Sequence, residues 1–147
     1  MQDSQQNAPD QTLSEAARAA LERVSRDGYF QLNRMHLAGL SADRAALYVD
    51  LEPALRNPYG VAHGGLLFTL CDFCAGLAAG TDGGRYVTQN ASYCFMKNVS
   101  EGRLTATGQV LSRGGRICVV RCQVQDAAGT QLTEGTFSMY RIGPKKA

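Results

Sequence analysis

The stretch from His63 to Gly80, HGGLLFTLCDFCAGLAAG, carries one formal charge, Asp72, among apolar and small residues. After its two glycines the run reads as a helix apolar on every side, which belongs inside a protein rather than on its surface. A carboxylate placed there loses water at large cost unless a partner or a task compensates. The tasks open to it are those of a general base or a nucleophile. The competing reading is an acid at a subunit contact paired with an arginine, although Leu70, Cys71, Phe73 and Cys74 leave it little polar company. At the start of the same run Gly64 and Gly65 lack side chains, so a ligand can approach their backbone closely. N–H groups in the first turn of a helix have no intrahelical partners and carry the positive end of its dipole, which makes that end a site for negative charge.

The elements that would position this run are legible around it. Leu13, Ala17, Leu21 and Val24 recur at three- and four-residue intervals, the pattern of an amphipathic helix that Gly28 is placed to stop. His36 to Glu52 reads as a hairpin turning at Ser41-Ala42-Asp43-Arg44, and Asn57-Pro58-Tyr59-Gly60 is a turn that delivers the chain to His63. Beyond the apolar run, Val87–Met96, Arg103–Ser112, Arg116–Asp126 and Gln131–Ile142 read as strands separated by glycine turns, the last three a meander. A long antiparallel sheet has an apolar face to cover, and the central helix is the element apolar enough to cover it. Pairing of two subunits through an open edge is expected.

With 147 residues the chain suits one domain, expected over 12–147 behind a disordered tail over 1–11. A net charge of +2 advertises no nucleic acid. The longest apolar run is too short for a bilayer, which needs about 20 residues, and the start lacks the pattern of a secretory signal, so a cytoplasmic protein with no membrane partner is expected. Five cysteines, an odd count, read as small buried hydrophobes in a reducing compartment. Cys71-x-x-Cys74 has no second pair or histidine cluster to suggest a metal, and none is expected.

The stretch Asn57-Pro58-Tyr59-Gly60-Val61-Ala62-His63-Gly64-Gly65, followed nine positions after the histidine by Asp72, resembles the signature of hotdog-fold acyl-CoA thioesterases of the phenylacetate-degradation (PaaI-like) group. The resemblance continues through Val87-Thr88 and Phe95-Met96-Lys97 and covers Tyr29 to Ile142. It implies an α+β hotdog fold, an antiparallel sheet of five to six strands wrapped around a central buried helix. It also implies hydrolysis of an acyl-CoA to free acid and CoA, without a separate cofactor because coenzyme A is part of the substrate.

By that resemblance the Gly65 N–H, with Gly64 beside it, is the donor to the thioester oxygen, an effect of roughly 3 to 4 kcal/mol per donor in such sites. Asp72 activates a water or attacks the carbon itself. Asn57 orients the water or the carboxylate, His63 supports the oxyanion loop or the thioester, and Thr88 matches a hydroxyl that helps hold the water. For His63 a helix cap is an equally open reading, and a threonine in a strand is also simply a good strand former. Counted from His63, nine residues turn through about 900° and rise about 13 Å, so Asp72 is read as facing away from its own Gly64-Gly65. If both act on one carbonyl they come from different subunits, which implies an obligate homodimer and, with it, a dimer-of-dimers tetramer.

Lys97, Arg113 and Arg116 are candidates for the CoA phosphates, each also readable as a solvated charge. Leu67, Phe68, Cys71 and Ala75 are candidates to line an apolar acyl slot along the helix. The chain departs from the family pattern at Asn98, Gly76 and Asn90-Ala91-Ser92, which bears on substrate preference rather than on chemistry. Two rival functions share the fold. A non-catalytic acyl-CoA sensor would not need Asp72, and a hydratase or dehydratase would place its acid at the helix entry rather than mid-helix.

Overall fold

A computed structural model of the protein describes residues 13–144. The tail expected over 1–11 lies outside the described residues. Helix α1 (Glu15–Ser25) is capped by the Ser14 hydroxyl, which accepts from the Ala17 N–H at 3.1 Å. It ends before Gly28, and that glycine opens a second short helix, α2 (Gly28–Leu32), instead of stopping the first. The reason is Asp27, whose carboxylate accepts from the Phe30 N–H at 3.0 Å and starts a new helical turn.

Strands β1 (His36–Ser41) and β2 (Arg44–Asp50) form the expected hairpin, with Asp43 at φ 62° in its turn. A single 3-10 turn and a loop lead into helix α3 (Gly64–Gly80). Four strands follow: β3 (Arg85–Phe95), β4 (Arg103–Arg113), β5 (Ile117–Gln125) and β6 (Gln131–Ile142). They join the hairpin in one antiparallel sheet of order β1-β2-β4-β5-β6-β3. The chain thus crosses the whole sheet after α3, and β3 becomes an outer strand paired with β6 alone.

Strand alternation sends Leu47 and Val49, Leu104 and Ala106, Val120, Cys122 and Val124, and Phe137 and Met139 to one face, where they are almost wholly buried against α3. The contact is close because Gly108 on β4 has no side chain: a Cβ there would sit 3.3 Å from the Cys74 carbonyl oxygen and 3.3 Å from the Cys122 sulfur. Four of the five cysteines, Cys71, Cys74, Cys118 and Cys122, are core residues, while Cys94 lies exposed on β3. Among the described residues no helix is long and apolar enough to cross a membrane.

Candidate active site

The residues of α3 that escape full burial are Gly64, Gly65, Phe68, Asp72, Phe73 and Gly76. Gly65, Phe68, Asp72 and Gly76 follow one another at three- and four-residue steps and form a single open stripe. This corrects the expected half-turn. From Gly65 to Asp72 is seven residues, about two whole turns, so both point the same way and about 10.5 Å of helix axis separates them. The core side chains flank the stripe, and β3 covers one side of it while α1 and α2 cover the other.

Asp72 has one hydrogen-bond partner of its side chain among the described residues, Thr88 on β3, whose hydroxyl donates to Oδ1. Burial pushes its carboxyl above the ordinary carboxylate range, and the Thr88 hydrogen bond opposes that rise without cancelling it. Thr88 is fixed in turn against the Met139 sulfur at 3.6 Å. Within the chain, no ion pair of Asp72 occurs among the described residues.

At the other end of the stripe His63 is the N-cap of α3, and its Nδ1 accepts from the Gly65 N–H at 3.1 Å. An imidazole accepting at Nδ1 carries its proton on Nε2, and His63 as a whole is exposed. The Gly64 N–H has no hydrogen-bond partner among the described residues. Asn57 shapes the approach: its Oδ1 accepts from Tyr59 N at 2.9 Å and Val61 N at 3.3 Å, closing an Asx turn, while Asn98 Nδ2 donates to the Ala62 carbonyl at 2.8 Å. Asn57 thus folds the turn that leads into the His63-Gly64-Gly65 helix entry.

The expected acyl lining does not form as a unit. Phe68 lies on the open stripe, but Leu67, Cys71 and Ala75 are 1 %, 0 % and 0 % exposed, because they fall on the side of the helix that packs into the core. Tyr93, which the sequence reading did not single out, closes that side. Its hydroxyl bonds the Leu67 carbonyl at 3.1 Å, the Cys71 sulfur at 3.2 Å and Thr133 Oγ1 at 2.5 Å, and its ring meets Phe68, Phe95 and Phe137 edge-on. The cross-strand partner of Tyr93 is Gly135, where a Cβ would come 2.3 Å from the ring. That pairing belongs to the register between β3 and β6, which no local pattern displays.

The three basic candidates diverge. Lys97 is exposed just past β3, and the nearby chain is tied to the helix entry through Ala62 N to Val99 O at 2.9 Å. Arg116 donates to the carbonyls of Arg141 and Gly143 at 3.3 and 2.7 Å. Arg113 stands at the opposite end of α3, donating to the Ala78 and Ala79 carbonyls and pairing with Asp43 and Asp82. It caps the helix C-terminus, where a cation is favoured, and its guanidinium is fully engaged there. A concavity of about 1190 Å³ lies elsewhere, on the outer face of the sheet around Ala46, Thr107, Gln109 and Gln123, and contains none of these residues.

Comparison with known proteins gives this geometry a family. Residues 59–133 match the profile of the thioesterase superfamily. A protein of Saccharolobus solfataricus named as a candidate esterase is 28 % identical over 130 residues, covering 86 % of this chain and 93 % of its own. The E. coli PaaI protein from the phenylacetic acid degradation operon superposes with a TM-score of 0.84 at 21 % identity, covering 91 % of this chain and 99 % of that one, a likeness of fold. A hypothetical thioesterase of Streptococcus pneumoniae TIGR4, solved with coenzyme A, superposes with a TM-score of 0.71 at 27 % identity over 76 % of this chain and 91 % of that one. That protein was also solved with an aspartate, and separately a threonine sixteen positions later, replaced by alanine.

Proposed function

The chain belongs to the thioesterase superfamily and is a thioester hydrolase of hotdog fold, and on that premise we propose that it cleaves an acyl-CoA with Asp72 acting against the Gly64-Gly65 end of a second subunit. The observation that carries this reading is the open stripe of α3. It bears a half-buried carboxylate that makes no ion pair among the described residues and, two turns earlier, a helix N-terminus lined by glycine.

Two such helices laid side by side and antiparallel about Phe68 and Thr69 bring each Asp72 opposite the other chain's Gly65. A thioester carbonyl between them has the N-terminal N–H groups of one subunit at its oxygen and the carboxylate of the other near its carbon. In the resting chain the Gly65 N–H is held by the neutral His63 nitrogen; an oxygen that gains charge as it is attacked is a stronger acceptor and displaces it. Water adds to the carbonyl carbon while Asp72 takes its proton, the C–S bond breaks, and CoA leaves as the thiol once the proton is passed on. In the alternative route Asp72 itself attacks, giving an anhydride that water then opens. Both use the same residues. Thr88 holds one carboxylate oxygen, which leaves the other for water or substrate.

Support comes from several sides. Asp72 and Thr88 are sixteen residues apart, the separation of the aspartate and threonine replaced in the S. pneumoniae protein, and that protein binds coenzyme A. The outer strand β3 is eleven residues long, with Val87 and Phe95 half exposed, an edge that pairing with a second β3 would cover. A homodimer follows, and dimers of dimers through the remaining faces. Of the three basic candidates Lys97 and Arg116 are left for the CoA phosphates, and an odd number of cysteines suits a cytoplasmic enzyme. The test is a panel of acyl-CoAs with a thiol reagent. Release of CoA by wild type and not by Asp72→Ala supports the reading; equal rates in both overturn it.

A further inference from the structure

Thr88 and Tyr93 close the β3 side of the open stripe. The Thr88 hydroxyl touches the Asp72 carboxylate, and the Tyr93 ring lies 5.2 Å from that of Phe68, so no acyl group passes between α3 and β3. The other side is different. There α2 lies against α3, and Tyr29 reaches Thr69, one turn before Asp72, with its hydroxyl 3.5 Å from Thr69 Oγ1. The Tyr29 ring lies 6.2 Å from that of Phe73, the residue after Asp72, and Phe73 is held edge-on by buried Phe30 at 5.4 Å. Despite these anchors Tyr29 is 56 % exposed, and Leu32, one turn on along α2, is 72 % exposed. Large apolar side chains left open beside a reactive carboxylate, on a helix braced from beneath, are surface waiting for an apolar ligand.

We propose that Tyr29 is the residue that sets acyl preference, forming with Phe73 the wall against which the acyl group of the substrate packs on the side of Asp72 away from Thr88. This rests on the thioesterase reading above. The acyl group enters here because it is the apolar half of the substrate and this is the apolar open side. The phenol tethered to Thr69 fixes how far the group can extend. Tyr29 touches substrate without taking part in proton transfer, so its replacement changes which thioester is cleaved and not the chemistry of cleavage.

The test is kcat/KM of the full-length protein across acyl-CoAs from acetyl to dodecanoyl together with aryl-acetyl-CoAs, for wild type, Tyr29→Ala, Tyr29→Trp and Tyr29→Phe. Tyr29→Ala is expected to raise the ratio of bulky to small acyl groups by at least about tenfold, the discrimination of a methylene or two in an apolar pocket. Tyr29→Trp is expected to lower that ratio, and Tyr29→Phe to leave it within about threefold because the ring is kept. Since Tyr29 is half exposed, these variants retain the core, and the opposite shifts of Ala and Trp distinguish a wall from a damaged fold. Turnover by wild type with the same acyl ratios in all four proteins overturns the inference alone. No turnover of any acyl-CoA by wild type overturns the thioesterase reading and this inference with it.

Discussion

Two aspartates ten residues apart, at Asp72 and just past the end of the same helix at Asp82, receive opposite treatment. Asp82 is nearly buried, its side chain 7 % exposed, yet it is surrounded by donors: the Gly84 N–H at 2.8 Å, the Tyr86 hydroxyl at 2.8 Å, and the Arg113 and Arg141 guanidinium groups at 2.9 and 3.0 Å. Burial alone would raise its carboxyl, but these partners outweigh burial and hold it below its ordinary range. Asp72 has a threonine, and burial keeps its carboxyl raised. A fold that needs an acid for structure satisfies it; on the reading proposed above, the acid left half-buried with a single threonine is kept for chemistry.

The contrast can be broken by exchanging the consequences. Asp72→Asn is expected to lower kcat by about 10³-fold, the worth of a positioned base, with no loss of thermal stability. Asp82→Asn is expected to do the reverse, lowering stability by about 3 kcal/mol in denaturant titration because two guanidinium groups lose their anion, with kcat per folded molecule unchanged. If Asp72→Asn unfolds the protein, or Asp82→Asn abolishes turnover while folded, the division of labour is wrong.

Stability against pH sharpens the same contrast, with opposite signs. A carboxyl raised in the folded state binds its proton more tightly there than when unfolded, so its contribution is full at low pH and is lost as pH rises through the folded value. Asp72→Asn therefore gains on wild type as pH rises from the ordinary carboxylate range. A lowered carboxyl contributes above its unfolded value and loses that contribution as pH falls through the folded one. The deficit of Asp82→Asn should consequently shrink in acid. Denaturant midpoints of the three proteins from pH 3 to 8 check both directions.

A smaller effect is expected at Thr88. Thr88→Val removes the hydrogen bond that favours ionised Asp72, so the acid limb of the activity profile should move to higher pH, with about a tenfold loss at pH values on that limb and little loss above it. A uniform loss at every pH would instead mean that the hydroxyl acts on water or substrate directly.

Much of this was legible in the sequence for reasons of local physics. Glycine turns and alternating strands bounded β3 to β6 to within a few residues, because turn chemistry and pleat act over neighbouring positions. The lone acid in the apolar run marked Asp72, and the glycine pair marked the helix entry. The side of α3 left open was not legible: when every position is apolar, no periodic contrast tells the sheet-facing residues Leu67, Cys71 and Ala75 from the stripe of Gly65, Phe68 and Gly76. Nor was the fate of Arg113, whose partners Asp43 and Asp82 come from two distant turns. Tyr93 and Tyr29 escaped notice because their partners are fixed by register and by helix packing, and α2 was hidden behind a glycine that usually ends a helix.

The shared site is the central claim, and a subunit-exchange experiment tests it most directly. Gly65→Pro removes the N–H at a first-turn position where proline is tolerated, and Asp72→Ala removes the carboxylate. Each homodimer alone should be inactive. Refolding the two together in equal amounts gives hybrids in which Asp72 of one chain faces Gly65 of the other, and about a quarter of the activity of identically refolded wild type should return, since half the dimers are hybrids and each has one intact site. No recovery in a mixture shown to contain hybrid dimers would place both residues in the same subunit's site and contradict the account.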